Sequence, residues 1–379
     1  MDIRLFKPSV GEEELAKIRE VFDRAWLGLG PLVTEFESEW TRYIGTSSSI
    51  AVNSGTAALH LALAAYGFPA GSKVLVPALT FVATATAVLY NRLTPVFVDA
   101  DETTLQMDLE DLERKIDGDC VAVIPVHYGG HPVPMKALLD IARRRSLAVI
   151  EDCAHCPGGE YEGKKLGTWG DIGCFSFEEK KGMTTGDGGM VCSEDAERIA
   201  PLRAMRWIGI DKDTWKRHAG YTDTAALDAR HWHYEVALLG YKYNMNDLAA
   251  AIGLVQLAKL DAMNAHRRAA IARYLRGIAG LQRVRPMFPY ELEGAAYWLF
   301  GVRCDDRDSL IRFLKARGIA TGVHFMPIPM HPLFASHRDG TTPVADRVWT
   351  GLVTLPLHAD LTDGEIDRVI EALHDWERT

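Results

Sequence analysis

Short apolar runs at 49–52, 73–77, 94–99, 121–126, 147–151, 172–177 and 189–192 read as seven buried strands. Helical patterns stand between them at 57–66, 82–90, 108–116 and 135–145. Strands that alternate with helices in this way predict an α/β fold, with a mainly parallel sheet covered by helices on both faces. Upstream, residues 12–43 read as helix, broken at the turn Gly28-Leu29-Gly30-Pro31. Downstream, 245–280 is a long helical pattern rich in Ala and Leu, expected to link two domains. Beyond it, 297–302 and 322–325 read as strands and 307–317 and 363–377 as helices, which makes a small α+β domain. The expected division is a large domain over 1–246 and a smaller C-terminal domain over 247–379 that includes the linking helix.

One stretch carries more than pattern. Cys174-Phe175-Ser176-Phe177 is short, apolar and aromatic, Lys180 and Lys181 follow, and Gly182, Gly186, Gly188 and Gly189 crowd the next turn. A lysine held between a buried strand and a tight turn is partly desolvated. That lowers the ammonium pKa and frees the amine as a nucleophile, the group a carbonyl cofactor requires. The same residues also fit a hairpin whose lysines face solvent. A second element is the run 147–150, which ends in Glu151-Asp152. Carboxylates at the C-terminal end of such a strand lie on the edge where open α/β sheets bind ligands. Pyridoxal phosphate (PLP) needs a carboxylate against its pyridine nitrogen to act as an electron sink. A third element is the strand at 49–52 running into Asn53-Ser54-Gly55-Thr56-Ala57-Ala58-Leu59. A small-residue turn opening a helix presents free N–H groups and the helix dipole to a phosphate.

Together, NSGTAAL, EDCAH, and FSF followed by a lysine and GDGG resemble the DegT/DnrJ/StrS sugar aminotransferases, a branch of the fold-type I PLP enzymes. The resemblance covers nearly the whole chain and includes Trp26-Leu27-Gly28-Leu29-Gly30-Pro31, Thr80-Phe81-Val82-Ala83-Thr84 and the segment from Asp247 to Gly253. It implies a seven-stranded sheet in a large domain, a smaller C-terminal domain and PLP as cofactor. In the family pattern the Schiff-base lysine is the fourth residue after FSF, which selects Lys181; the chemistry of the two neighbouring lysines does not separate them. The resemblance further implies that Asp152 holds the pyridine nitrogen and that His155 meets the cofactor near its phenolic oxygen. Phe81 would stack on the ring, and Gly55, Thr56 and Ser176 would hold the phosphate. Many members carry an asparagine that reaches the neighbouring subunit's phosphate site. Here that stretch is Gly240-Tyr241-Lys242-Tyr243-Asn244-Met245, with Lys242 at the asparagine position and Asn244 at the arginine position. The implied assembly is a homodimer in which Lys242 contacts the partner's PLP phosphate with Asn244 nearby.

The implied activity moves an amino group from glutamate, which leaves as 2-oxoglutarate, to a keto sugar linked to a nucleotide, for surface polysaccharide such as lipopolysaccharide or for specialised metabolites. A keto cyclitol or an eight-carbon acid sugar as acceptor, a sugar dehydratase and a non-catalytic regulatory member are the alternatives. The intact Lys181 argues against the dehydratase, whose Schiff-base position is not lysine.

Composition narrows the setting. A 379-residue chain with 47% hydrophobic and 25% charged residues supplies a full core, and a net charge of −9 argues against a nucleic-acid partner. Arg143-Arg144-Arg145 closes a helical pattern, where cations suit the dipole. The N-terminus has no apolar signal region, and no apolar run approaches the ~20 residues of a membrane span, so a cytoplasmic protein is expected. Cys153 and Cys156 form a C-x-x-C, but no second ligand pair stands at metal spacing, so the six cysteines read as free thiols and no metal is expected. Residues 204–240 break the alternation with Arg206, Trp207, Lys212, Trp215, Lys216, Arg217, Trp232, His233 and Tyr234. Cations among aromatics suit a diphosphate and a ring, and equally suit a loop packed on a partner subunit. His231 and His233 beside Glu235 lack a third ligand for a metal.

Overall fold

Seven strands form the main sheet of the computed structural model, which describes residues 2–210, 234–338 and 342–379. In chain order the strands are β1 (Ser48–Val52), β2 (Lys73–Pro77), β3 (Thr94–Val98), β4 (Cys120–Val123) and β5 (Ala148–Asp152). A short ribbon of β6 (Glu160–Tyr161) and β7 (Lys164–Lys165) follows, and then β8 (Ile172–Ser176) and β9 (Gly189–Ser193). Their spatial order is β1-β9-β8-β5-β4-β2-β3. The neighbours from β8 to β3 are parallel, while β9 runs antiparallel to both β1 and β8. That reversal has a local cause: β8 and β9 are consecutive, and the glycine-rich turn between them returns the chain beside itself. The apolar runs are buried at nearly every position, as strands covered on both faces must be.

The sequence-predicted helices of this region are present, from Pro31–Ile44, which starts on a proline after Gly30, to Met135–Arg145, which ends on three arginines. The helix Ala196–Met205 was not expected; Asp195 caps it by accepting from the Arg198 N–H, and Pro201 inside it masks the helical pattern.

The 32-residue helix Asp247–Ile278 crosses the molecule and is capped by Asn246, whose side chain accepts from the Ala249 N–H. By length and composition alone it is apolar enough to span a membrane. Here it packs against Glu12–Asp23, Pro31–Ile44 and Asp363–Glu377. The Asp247 carboxylate accepts from the N–H groups of Leu32 and Val33 at 3.3 and 3.1 Å, so it stabilises the start of a second helix.

Beyond it lies an antiparallel sheet of β10 (Val284–Pro286), β11 (Phe300–Cys304) and β12 (Leu352–Leu355). Two expectations are corrected here. The strand foreseen at 297–302 begins at Phe300, because Tyr297 and Trp298 turn away to pack elsewhere. Residues 322–325 form no strand: Gly322 makes one bridge to Thr354, and His324 and Phe325 then leave the sheet for the site described next. β10 and β12 were missed, being short and flanked by prolines and polar residues.

Candidate active site

A cavity of about 340 Å³ opens where β1, β5 and β8 end, and it is lined by Gly55, Asp152, His155, Ser176 and Lys181 together. Residues more than a hundred positions apart in sequence thus meet at the C-terminal edge of the sheet, where a parallel sheet presents its ligands.

Asp152 is the last residue of β5 and is 4% exposed. It accepts from the Thr84 hydroxyl at 2.9 Å and from the Ala154 N–H at 3.1 Å. Burial raises its pKa, and the two hydrogen bonds and the Lys181 charge oppose that rise. An acid so placed holds a positive ring nitrogen well, because such a partner offsets the cost of the buried charge.

Lys181 follows β8. Desolvation lowers its pKa to about 8, against the support of Asp152 and Glu178 and with the repulsion of Lys180. Its ammonium lies 3.9 Å from the centroid of the Trp298 ring. The structure distinguishes the two lysines that chemistry alone could not: Lys181 is desolvated beside Asp152, while Lys180 is exposed on the cavity's lining.

His155 is buried and stacks on Trp298 at 4.2 Å with an interplanar angle of 11°. Its Nδ1 accepts from the Gly129 N–H at 3.4 Å. Burial, with the Lys181 charge behind it, pushes its pKa well down, so the ring is neutral and carries its proton on Nε2. That Nε2 is buried without a partner. A buried N–H donor aimed at nothing in the protein calls for an acceptor from a ligand.

The helix Gly55–Ala64 begins at the cavity, with Ser54 accepting from the Ala57 N–H at 3.1 Å. A Cβ on Gly55 would stand 2.7 Å from the Ser176 Cβ, so the absence of a side chain lets the two cavity-lining segments close up. Free N–H groups and two hydroxyls at a helix start form an anion cradle. Cradle, orphaned imidazole N–H, buried carboxylate and desolvated lysine are the donor set PLP requires, and the residues present fit it.

Phe81 lines the cavity, is 51% exposed and meets Phe325 with ring centroids 5.7 Å apart. Lys242 and Asn244 are not in the protomer's own cavity lining. The Lys242 ammonium bonds Asn244 Oδ1 at 3.0 Å and sits 3.1 Å from the Trp207 ring centroid, on a strip where Lys242 is exposed and Asn244 and Trp207 are half-buried. That strip runs beside the Gly55 cradle, with Asn53 N–H donating to the Tyr243 carbonyl at 2.7 Å.

Sequence reasoning missed the wall that faces these groups. Thr84 bonds Asp152, and Phe6, Trp298, His324 and Phe325 bring an aromatic surface from the chain's two ends. Burial pushes His324 down to about 4, so it too is neutral. The only sequence signal was the aromatic density of 297–300, which reads equally as strand core.

Other candidates resolve differently. Arg206 is buried against Glu37 and donates to the Ala51 carbonyl at 2.8 Å, which makes it a core tie and not a diphosphate ligand. Lys212, Trp215, Lys216, Arg217, His231, Trp232 and His233 lie outside the described residues. Cys153 and Cys156 come within 4.8 Å of His127, a grouping a metal can use. The His127 nitrogens are already engaged, Nδ1 by the Val133 N–H and Nε2 with Glu151, each at 3.1 Å. Burial holds both thiols protonated, so the group reads as packed core.

Residues 8–374 match the DegT/DnrJ/EryC1/StrS aminotransferase family. The chain is 35% identical over 378 residues to the spore coat polysaccharide biosynthesis protein SpsC of Bacillus subtilis, covering 97% of this chain and 95% of that one. It is similar to the sugar aminotransferase CalS13 of Micromonospora echinospora, with 33% identity, a TM-score of 0.88 and coverage of 98% and 99%. It is also similar to Spr1654 of Streptococcus pneumoniae in its PLP form, with 27% identity, a TM-score of 0.90 and coverage of 100% and 99%.

Proposed function

Because the chain belongs to the DegT/DnrJ/EryC1/StrS aminotransferase family, whose members use PLP, we propose that it transfers an amino group from glutamate to a nucleotide-linked keto sugar. The observation that carries this reading is the convergence of Lys181, Asp152 and His155 on one cavity beside a helix-start cradle. Sugar-directed relatives such as CalS13 and SpsC support the acceptor class.

PLP, when bound, supplies the electron sink that makes a substrate Cα–H acidic. The residues of this chain do the rest. Gly55, Thr56 and Ser176 would hold the phosphate, and Asp152 would keep the pyridine nitrogen protonated. His155 Nε2–H would donate to an oxygen of the cofactor, and Phe81 would pack on its ring. Lys181 would hold the cofactor's carbonyl group, and its Nζ, once released, would take the α-proton from the donor and hold it as the ammonium before giving it back. Desolvation, which lowers the Lys181 pKa to about 8, favours the neutral amine that both roles need. The aromatic wall of Phe6, Trp298 and Phe325 keeps water away from Nζ while it carries the proton.

In the same reading the enzyme is a homodimer. Lys242, exposed beside its own cradle and absent from its own cavity lining, reaches the partner's phosphate as a point charge, with Asn244 fixing it. The test is a transamination assay with glutamate and a panel of 3-keto and 4-keto nucleotide hexoses, with amino-sugar product read by mass spectrometry. Release of 2-oxoglutarate matched by amino sugar supports the reading. No amino transfer to any keto sugar by PLP-loaded protein overturns it.

A further inference from the structure

The geometry points to Lys180 as the residue that recognises a carboxylate of the amino-acid donor, an inference that rests on the transaminase reading. Lys180 and Lys181 are the only cations among the described residues that line the cavity. Lys181 is committed to the cofactor, and His155 and His324 are neutral through burial. The donor is a dicarboxylate at neutral pH, and the lining also holds the carboxylates of Glu178 and Asp187. A dianion entering there meets repulsion unless one cation is free to meet it.

Lys180 is built to be that cation. Its backbone is fixed on both sides: its N–H donates to Glu178 Oε2 at 3.1 Å, and its carbonyl accepts from Trp298 Nε1 at 2.6 Å. The main chain is thus pinned while the side chain is exposed. Among the described residues its ammonium has no ion-pair partner. Its charge reaches both Lys181 and His324, each of which loses basicity to it, so it stands close to the reacting lysine.

Size assigns the anion to the donor and not to the sugar nucleotide. Both substrates must bring their reacting carbon to Lys181. A cavity of about 340 Å³ that also takes the cofactor admits a whole amino acid, carboxylates included. Of a nucleotide sugar it admits the sugar ring, and the diphosphate stays farther out.

The experiment compares Lys180→Met and Lys180→Arg with wild type, all loaded with PLP. Calorimetric binding of 2-oxoglutarate is the readout independent of turnover. Loss of one charge-assisted contact predicts roughly 10- to 100-fold weaker binding in Lys180→Met, with most of it restored in Lys180→Arg. In steady state the KM for glutamate rises by a similar factor, kcat stays within about threefold, and the KM for the sugar nucleotide holds. Wild-type glutamate KM rises with ionic strength, and in Lys180→Met that dependence flattens. Unchanged 2-oxoglutarate binding in Lys180→Met overturns the assignment, as does a rise confined to the sugar-nucleotide KM, which would give Lys180 to the diphosphate. Failure of the transaminase reading looks different: wild-type protein then converts no glutamate at all.

Discussion

Replacing Asp152 by asparagine separates chemistry from stability. The carboxylate is 4% exposed and takes hydrogen bonds from Thr84 Oγ1 at 2.9 Å and Ala154 N–H at 3.1 Å. Burial raises its pKa above the unfolded value. The folded state then binds more protons than the unfolded chain between those two values. Stability therefore falls as pH rises through that window, and the full cost is present above the folded pKa, at neutrality. Asparagine carries no charge to desolvate and removes that cost. It also leaves one oxygen where two accepted, so one buried donor loses its partner, at about 1–2 kcal/mol. The two effects oppose each other, and the Tm of the apoprotein is expected to move by less than about 3 °C. Chemistry has no such compensation. The negative charge that, in the proposed mechanism, would face the ring nitrogen is gone, and so is one support of the Lys181 ammonium, whose pKa is expected to drop below its present value of about 8. The expected loss of turnover is on the order of 10²–10³-fold, roughly 3–4 kcal/mol of transition-state stabilisation. The assay pairs thermal melts of apo and PLP-loaded protein with single-turnover rates of the glutamate half-reaction. A variant that turns over like wild type removes Asp152 from the mechanism, and an apoprotein that loses more than about 10 °C shows that the residue is chiefly structural.

Lys181→Ala is expected to abolish both the visible absorption of lysine-bound cofactor and transamination, whereas Lys180→Ala keeps the absorption band. Borohydride reduction and peptide mapping check this, and a pyridoxyl group on Lys180 would reverse the assignment. In the apoprotein, labelling of Lys181 by an amine-reactive reagent should rise as pH passes about 8, because the amine is freed above its lowered pKa; a midpoint near that of an ordinary lysine contradicts the desolvated environment. Lys242→Ala should weaken PLP retention without lowering the apoprotein's Tm, and mixing it with Lys181→Ala should give heterodimers with one intact site. Hybrids no more active than their parents, or a fully active monomer in sedimentation, would sink the shared-site reading.

Much of the large sheet was legible because burial on both faces writes each strand as an unbroken apolar run. All seven runs became the seven strands of the main sheet. The parallel order was legible only in outline. Nothing in the apolar run at 189–192 shows that β9 inserts antiparallel between β1 and β8. The C-terminal sheet was harder, since β10 and β12 are three and four residues long and the pattern has too few periods to declare itself. The same limit applies to the site. Gly55, Asp152 and Ser176 each stand at a strand end or a helix start, and Lys181 stands in the turn after β8, where local sequence announces special backbone or chemistry. Phe6, Trp298, His324 and Phe325 carry no local mark of function, because their role comes from meeting across the chain.

The lysine doublet shows what the fold adds to the sequence. Lys180 and Lys181 have the same side chain, one position apart, beside the same strand. Their difference arises from groups that sequence places far away: Asp152 on β5, and Trp298, more than a hundred residues downstream. The Trp298 ring lies against the Lys181 ammonium at 3.9 Å, while its indole N–H ties the Lys180 carbonyl at 2.6 Å. One side chain therefore touches both lysines in different ways, covering the ammonium of the first and fixing the backbone of the second. The same indole stacks on His155 at 4.2 Å and on Phe6 at 5.2 Å. A shift of Trp298 would disturb three groups at once: the Lys181 ammonium, the His155 imidazole and the backbone that presents Lys180. Trp298 stands two residues before β11, so a substitution that repacks that strand is expected to reach these three groups through this ring.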